Sequence, residues 1–341
     1  MPAISLRPAE EASAWTRADL ERDDSWIITL EPGHIAALDR AFRAVAGRPG
    51  PFYALRQEDF PLPELAGVLA CIRAELSTGR GLAQLRGLPV ERYSDEENRL
   101  ILWGLGTHLG TAVTQNAAAD LVAGVFDRGL SYSDRNVRAY QVAAELGLHN
   151  DNSDIVALMC VRQAPVGGES MLVSATSAYN RMLARHPELV PLLFNGFTYC
   201  RKGEQGPGEP PFSREKIPVF SEAGGRISCR YARSWITHAE GTTGVRLSPL
   251  ERLALDSFDA ICHEPDLLFE CRLRPGDVQF ANNYTVLHAR RAFQDDPKAK
   301  RLMYRLWLEA DWLREVDPVA RFEFIRYGNS GRTAAQLLAA G

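Results

Sequence analysis

The sequence is poor in the features that mark several large classes of protein. Its six cysteines form no Cys-x-x-Cys pair and mostly lie in apolar stretches, which favours buried reduced thiols over a disulfide framework or a zinc site. The net charge is −4, so no overall positive field attracts nucleic acid. No apolar run approaches the roughly 18 residues of a membrane span, and residues 1–24 show no basic-plus-apolar leader. We therefore expect a cytoplasmic protein that binds neither nucleic acid nor membrane.

The chain contains enough apolar residues for one large core. It has 341 residues, of which 45% are hydrophobic. Residues 1–110 are predicted to be rich in helix, with helices near 33–45 and 62–77 and a capping box at Ser94 and Glu97. From residue 111 to residue 312, short strands alternate with Gly/Pro turns, although helices are predicted at 176–194 and 248–262. The strand candidates of this region are 122–126, 137–142, 155–162, 171–174, 198–201, 217–220, 226–231, 267–273, 278–281, 286–289 and 301–309.

Many short strands separated by turns are typical of a sandwich or barrel. With the interspersed helices, we predict a mainly β fold with flanking helices, a double-stranded β-helix or jelly roll. No internal repeat or low-complexity linker divides the chain. We therefore expect one domain over 1–341, made of a helix-rich N-terminal region (1–110), the jelly-roll core (111–312) and a tail (313–341).

Two histidines and one aspartate form the candidate metal site. His149 and Asp151 are separated by one residue, and His288 lies in a second apolar segment far along the chain. In an extended segment, residues i and i+2 project to the same side, so His149 and Asp151 can reach one ion while Asn150 points away. Two imidazoles and one carboxylate on one side of a divalent metal leave other positions open, as in non-haem Fe(II) oxygenases.

Spacing alone does not select this site, because the sequence has three His-x-acid triplets. His186 and Glu188 flank Pro187, which predicts a surface helix boundary. His238 and Glu240 lead into the polar loop 241–244. By contrast, His149 and Asp151 directly precede the apolar strand candidate 155–162, where a buried sheet would meet the mouth of a pocket. We therefore place the metal at His149, Asp151 and His288.

The segment 300–307 supplies candidate anion-binding groups. Its alternation predicts that Arg301 and Arg305 lie on one face and Leu302, Tyr304 and Leu306 on the other. Two inward-facing arginines would be costly without anionic partners, and an arginine binds a carboxylate in a bidentate manner. A 2-oxo acid is the expected co-substrate of such an iron site. If Arg301 binds the distal carboxylate of that acid, we expect Arg305 to carry an unpaired charge that meets an acidic group of the substrate. An internal carboxylate partner is the alternative for Arg305, and outward-facing arginines are the alternative for both.

The order of several motifs resembles that of one enzyme family. They are His149-x-Asp151, Gly167-Gly168-Glu169-Ser170, Pro275-Gly276-Asp277, Asn283 to Arg290 with His288 inside, and Arg301-x-x-x-Arg305. Over roughly residues 80–310 this set resembles the TauD/TfdA-like Fe(II)/2-oxoglutarate dioxygenases. The resemblance implies a clavaminate synthase-like jelly roll, Fe(II) at His149, Asp151 and His288, and 2-oxoglutarate bound by Arg301 with help from the Ser170 hydroxyl. Arg305 matches the position that binds an anionic group of the substrate, or it shares the co-substrate.

The sequence departs from the taurine-type pattern upstream of the metal motif. Where those enzymes place a sulfonate-binding histidine, this chain has amides at Gln115 and Asn116. Gln115, Asn116 and Tyr140 are candidate substrate contacts, and a purely structural role is an equal alternative for each. The missing histidine favours a carboxylate, such as an amino acid, over a sulfonate.

The expected function is oxidation, with hydroxylation as the default, of an aliphatic C–H bond in a small polar molecule. Fe(II) and O₂ would act with 2-oxoglutarate, which is converted to succinate and CO₂. A metal hydrolase or isomerase of the cupin type, using metal-bound water, is a second hypothesis and would not need Arg301. A catalytically silent binder of small molecules is a third. The sequence leaves open whether the protein forms a homo-oligomer.

Overall fold

Two β-sheets lie at the centre of the structure. The computed structural model describes residues 6–130, 139–296, 298–321 and 328–340. The strands of these ranges are β1 (Ile27–Thr29), β2 (Leu82–Arg86), β3 (Thr111–Val113), β4 (Val122–Val125), β5 (Leu146–His149), β6 (Ile155–Arg162), β7 (Val166–Gly167), β8 (Ser170–Ser174), β9 (Phe220–Ala223), β10 (Arg226–Cys229), β11 (Phe269–Cys271), β12 (Val278–Asn282), β13 (Val286–Arg290), β14 (Phe293–Gln294) and β15 (Leu302–Glu309).

The larger sheet has seven strands and the smaller sheet has four. The larger sheet runs in the order β1-β2-β12-β6-β15-β3, and β4 also pairs with β15. The smaller sheet runs in the order β11-β8-β13-β5. Within both sheets the described pairings are antiparallel except for β1 with β2. Two of the strands in the larger sheet, β1 and β2, come from the helix-rich N-terminal region.

An apolar cluster joins the inner faces of the two sheets. From the larger sheet it includes Leu82, Val156 and Trp307, and from the smaller sheet Leu172 and Val286. Each of these side chains is nearly inaccessible to solvent. Because both sheets bury one face in this cluster, the space between them is the interior of the protein. Side chains that project from β15 or β13 into this space can therefore meet.

Helices cover the outer faces of both sheets. The helices of the described ranges are α1 (Arg17–Arg22), α2 (Pro32–Val45), α3 (Ala66–Ser77), α4 (Asp95–Thr107), α5 (Ala175–Arg185), α6 (Val190–Asn195), α7 (Arg233–Thr243), α8 (Pro249–Cys262) and α9 (Ala334–Leu338). Helices α2, α3 and α4 pack on the larger sheet, where Leu302, Tyr304 and Leu306 join their core. Helices α5, α6, α7 and α8 contribute to a second core behind the smaller sheet. In the described ranges, no helix is both long and apolar enough to span a membrane.

The predicted capping box is confirmed in detail. The Ser94 backbone N–H donates to the Glu97 carboxylate (2.7 Å), the Glu97 N–H donates to the Ser94 hydroxyl (3.3 Å), and α4 starts at the next residue, Asp95. The hairpin around Gly224 and Gly225 joins β9 to β10, and both glycines have positive φ (55° and 75°). A two-residue turn of this kind needs positive φ at both positions, which glycine adopts without steric cost.

Other predicted elements differ from the structure. The helix predicted over 176–194 is two helices, because Pro187 interrupts it. The strand predicted over 198–201 is absent from the described strands. The strand predicted over 137–142 is wrong for residues 139–141, which form a 3₁₀ turn. Residues 137 and 138 lie outside the described residues. The predicted polar loop after His238 is the last turn of α7. Burial of Ile236 and Ala239 stabilises that helix, which ends at Gly244 with φ of 75°.

Candidate metal centre and co-substrate cavity

The structure brings His149, Asp151 and His288 together beside β5, the edge strand of the smaller sheet. His149 ends β5, and His288 lies directly opposite it on the neighbouring strand β13. The Asp151 carboxylate lies 3.6 Å from His149 Nε2 and 3.5 Å from His288 Nε2. One ligand atom from each of the three residues falls within 4.8 Å of the others, and no second group of three His, Cys, Asp or Glu residues does so in the described ranges. The arrangement therefore offers two imidazole nitrogens and one carboxylate oxygen to a single ion.

Backbone and amide contacts set the directions of these side chains. His149 Nδ1 lies 2.9 Å from the Gly147 carbonyl oxygen, which leaves Nε2 toward Asp151. Asn150 points away, as predicted, because its amide donates to the Val286 carbonyl (2.9 Å) and accepts from the Tyr231 N–H (2.8 Å). The Asn283 side-chain oxygen accepts from the Asp151 N–H (3.1 Å). These contacts fix the ligand segment between β5 and β6 to the strand that carries His288.

The other two triplets do not approach this site. His238 lies on the exposed side of α7, where Nδ1 contacts the Ser234 carbonyl oxygen at 2.5 Å. His186 is partly exposed, and its Nδ1 lies 3.8 Å from Glu188. Neither belongs to a group of three potential ligands among the residues that the structure describes.

The electrostatics of the cluster match the protonation states that a divalent metal requires. Burial of Asp151, which is 6% exposed, acts to raise the pKa of its carboxyl group. The positive charge of Arg305 and the contacts with His149 and His288 outweigh burial and hold that pKa well below its usual range. Burial, together with the neighbouring His149, lowers the pKa of His288. An ionised carboxylate and a neutral imidazole are the forms that bind metal.

Arg305 is paired inside the protein. Its Nη1 donates to both oxygens of Asp151 (3.1 and 3.3 Å), and its Nε donates to the Gln115 side-chain oxygen (2.7 Å). The expectation of an unpaired charge at this position is therefore wrong, and the alternative of an internal carboxylate partner is the one observed. The physical reason is that β15 runs beside the metal-ligand segment. This places the Asp151 carboxylate within hydrogen-bond distance of the Arg305 guanidinium. A role for Arg305 in binding substrate or 2-oxoglutarate stays a prediction.

Gln115 and Tyr140 contact Arg305, whereas Asn116 contacts Tyr140. The Gln115 amide donates to the backbone carbonyls of Arg305 (2.7 Å) and Leu121 (2.9 Å). The Tyr140 ring lies 4.9 Å from the Arg305 guanidinium carbon, and Asn116 lies behind it, donating to the Tyr140 hydroxyl at 3.3 Å. Gln115 and Tyr140 still line the cavity outside the metal cluster. Their use as substrate contacts stays a prediction.

Arg301 lies in a smaller inner cavity between the sheets, beside the metal cluster. This cavity is also lined by Ser170 and His288, and no acidic residue of the described ranges lines it. Arg301 is only 2% exposed, and burial lowers its pKa to about 10, so it remains charged at neutral pH. Its Nε donates to the Gln163 side-chain oxygen (3.1 Å), while its Nη1 has no hydrogen-bond partner among the described residues. A buried, charged guanidinium in such a place is suited to an anionic ligand.

Arg290 is a charged residue of the inner cavity for which the sequence predicted no role of its own. Its Nη2 donates to the carbonyl oxygens of Val142 (2.8 Å) and Ala144. Burial, and then the positive charge of Arg301, lowers its pKa to about 10. The signal for this residue was its spacing of two from His288, which puts both side chains on the same face of β13.

An outer cavity of about 380 Å³ opens on the other side of the metal cluster. Its charged lining residues in the described ranges are Asp151, Lys202, Arg230, Arg233 and Arg305. Arg233 is paired with Asp256 (2.6 Å) and Asp259 (2.8 Å), and Arg230 donates to the Asn152 amide oxygen (2.8 Å). Lys202 donates to the Ser234 hydroxyl (3.4 Å). Sequence reasoning missed Lys202, Arg230 and Arg233 because they come from segments with no recognisable motif.

Comparisons with known proteins agree with this architecture. The family model described as "Taurine catabolism dioxygenase TauD, TfdA family" matches residues 46–307. FR-33289 synthase from Streptomyces rubellomurinus (strain ATCC 31215) is 33% identical over 317 residues, which cover 91% of this chain and 93% of the relative. Among solved structures, asparagine oxygenase with Fe(II), 2S,3S-3-hydroxyasparagine and succinate has a TM-score of 0.65 at 17% identity, covering 83% of this chain and 94% of that one. The oxygenase OrfP with iron and alpha-ketoglutaric acid has a TM-score of 0.62, also at 17% identity, with coverages of 84% and 94%.

The fold is therefore that of the non-haem iron oxygenases, rich in sheet with flanking helices. More specifically, the chain belongs to the TauD/TfdA family. It is a 2-oxoglutarate-dependent dioxygenase that uses Fe(II) and O₂. This family membership decides against the two other hypotheses, a metal hydrolase or isomerase and a catalytically silent binder of small molecules.

Proposed function

We propose that His149, Asp151 and His288 hold the Fe(II) of this dioxygenase. The single observation that carries the proposal is the approach of three potential ligand atoms, one of them from the buried Asp151, to within 4.8 Å of one another. The ionised state of Asp151 and the lowered pKa of His288 support it. Iron, when bound, couples the oxidative decarboxylation of 2-oxoglutarate to the oxidation of a C–H bond. A set of only three protein ligands leaves other positions of the ion available for this chemistry.

The inner cavity is the proposed site of 2-oxoglutarate. Arg301 would bind the distal carboxylate through its planar guanidinium, and the Ser170 hydroxyl would donate a further hydrogen bond. What supports this assignment is that both residues line the same cavity as His288, and that the cavity has no acidic lining residue in the described ranges. The guanidinium already carries its charge at neutral pH, so binding of the co-substrate needs no proton transfer.

The proposed substrate is a small polar molecule with an acidic group, such as an amino acid, hydroxylated at an aliphatic carbon. It would occupy the outer cavity, whose charged lining has four cationic side chains and one carboxylate, that of Asp151, in the described ranges. This excess of cationic over acidic lining side chains favours an anionic substrate, although Arg233 and Arg305 also pair with carboxylates of the protein. The similarly folded asparagine oxygenase, solved with a hydroxylated amino acid and succinate, supports the same class of reaction.

The two sheets are proposed to form the double-stranded β-helix of this family, with all of residues 1–341 in one domain. Support comes from the apolar cluster that both sheets share and from the participation of β1 and β2 in the larger sheet.

A screen for succinate release tests the proposed substrate class. Purified protein with Fe(II), 2-oxoglutarate and O₂ is offered amino acids, other small carboxylates, phosphate esters, and neutral or cationic analogues of matched size. We expect that anionic compounds raise succinate formation above the rate without substrate, and that mass spectrometry finds a product heavier by one oxygen atom. Stimulation confined to neutral or cationic compounds would refute the proposed substrate class while leaving the metal site intact.

A further inference from the structure

The Asp151 carboxylate accepts hydrogen bonds from two side chains besides its contacts with the histidines. The indole N–H of Trp307 donates to Oδ2 at 2.9 Å, and Arg305 Nη1 donates to both oxygens at 3.1 and 3.3 Å. Trp307 and Arg305 are two residues apart on β15, so they project to the same face of the larger sheet. Strand β15 therefore presents two donors to a carboxylate that sits beyond the end of β5.

Both donors are themselves held in place. Trp307 is 6% exposed and belongs to the apolar cluster between the sheets. The Arg305 guanidinium carbon lies 4.8 Å from the Trp307 ring and 4.9 Å from the Tyr140 ring, while Arg305 Nε is fixed by Gln115. Neither side chain can turn away from Asp151 without breaking these contacts. The position of the carboxylate is thus determined by packed residues rather than by the flexible aspartate alone.

We infer that Trp307 is a positioning residue, which orients the Asp151 carboxylate for the metal. The inference rests on the proposed metal site. A carboxylate has about four acceptor positions on its two oxygens, and the Trp307 and Arg305 donors occupy positions on both of them. With its plane set in this way, the carboxylate cannot rotate freely to present both oxygens to the ion. Groups that hydrogen-bond to metal ligands typically change metal affinity or activity by about 10- to 100-fold when they are removed.

A matched pair of substitutions isolates this hydrogen bond. Trp307→Phe keeps an aromatic ring between the sheets but removes the indole N–H. Trp26→Phe is the control, since Trp26 belongs to the same cluster and is 2% exposed, but its indole N–H has no partner among the described residues. Each variant is titrated with Co(II) alone, without 2-oxoglutarate or O₂, and the visible absorption of the bound ion is recorded.

We expect that Trp307→Phe weakens Co(II) binding by about 10- to 100-fold and alters the absorption spectrum of the ion that still binds. Trp26→Phe should keep the wild-type affinity and spectrum, even where the melting temperatures of the two metal-free variants fall equally. A loss of packing alone would change both variants alike, so the spectrum separates positioning from stability. If Trp307→Phe does not fold, Trp307→Tyr is measured in its place, because it also lacks the indole N–H.

Asp151→Ala distinguishes failure of this inference from failure of the metal site. If Asp151→Ala loses Co(II) but Trp307→Phe binds it with wild-type affinity and spectrum, the role of Trp307 is refuted and the site stands. If Asp151→Ala binds Co(II) like the wild type, the proposed metal site itself is refuted, and the role of Trp307 falls with it.

Discussion

Replacement of Arg301 by alanine should selectively weaken the binding of 2-oxoglutarate. Arg301 is buried in the inner cavity, and its pKa of about 10 keeps it charged at the pH of an ordinary assay. Charge-assisted hydrogen bonds contribute about 1.5–3 kcal/mol. Their loss therefore raises the dissociation constant of 2-oxoglutarate by roughly ten- to hundredfold, since about 1.4 kcal/mol corresponds to a factor of ten.

The binding is best measured without turnover. Anaerobic protein is loaded with Fe(II) and titrated with 2-oxoglutarate, while the visible charge-transfer band reports the complex. Arg162→Ala is the matched control, because Arg162 lies opposite Leu302 on the neighbouring strand but points to Asp95, with contacts of 2.6 and 2.8 Å. That partly exposed pair contributes little to stability. The control variant should therefore bind 2-oxoglutarate as the wild type does.

The proposed role of Arg301 is refuted if Arg301→Ala folds, binds Fe(II) and keeps the wild-type affinity for 2-oxoglutarate. A large loss of that affinity in Arg305→Ala, with none in Arg301→Ala, would move the co-substrate role to Arg305.

Three further outcomes are expected. Ser170→Ala should weaken 2-oxoglutarate binding less than Arg301→Ala does in the same titration. A single hydrogen bond from an uncharged hydroxyl to the carboxylate lies at the low end of about 1.5–3 kcal/mol, which corresponds to about tenfold. An effect as large as that of Arg301→Ala would contradict this. Arg305→Ala should reduce the stimulation of succinate formation by an anionic substrate. If the variant keeps the slow, substrate-free formation of succinate, Arg305 acts as a substrate contact. If the variant loses bound metal, Arg305 acts by holding Asp151. In a thiol-labelling assay at about pH 8, just below the ordinary cysteine pKa, the exposed Cys71 should react quickly. Burial raises the pKa of Cys160 and of Cys271 to about 12, which keeps both as unreactive thiols. Fast labelling of Cys160 or Cys271 in the native protein would contradict this.

The features of the site that depend on local pattern could be predicted from the sequence. The spacing of His149 and Asp151 in an extended segment places both side chains on one side, whatever the rest of the fold. In the same way, alternation along 301–309 correctly puts Arg301 and Arg305 on the interior face and Leu302, Tyr304 and Leu306 in the helix-covered core. The alternative of outward-facing arginines is wrong for both, since Arg301 and Arg305 are buried.

The features that depend on contacts between distant strands could not be predicted. The partner of Arg305 is Asp151, and no local rule relates residues so far apart in the chain. That contact follows from the pairing of β15 with β6, which brings the start of β6 and the ligand segment before it alongside β15. Trp307 shared the alternation signal with Arg305, but a buried tryptophan gives no sign of a carboxylate partner until the sheets are assembled. For the same reason, Gln115 could not be recognised as a contact of Arg305.

The metal content of two alanine variants directly tests the proposed iron site at His149, Asp151 and His288. His149→Ala removes a proposed ligand, whereas His238→Ala removes the histidine of a triplet that lies on the exposed side of α7. Both proteins are loaded anaerobically with Fe(II), freed of excess metal by gel filtration and analysed for iron per chain. We expect that His238→Ala retains the wild-type iron content and that His149→Ala retains almost none. Iron that is lost from His238→Ala and kept by His149→Ala would contradict the proposed metal site.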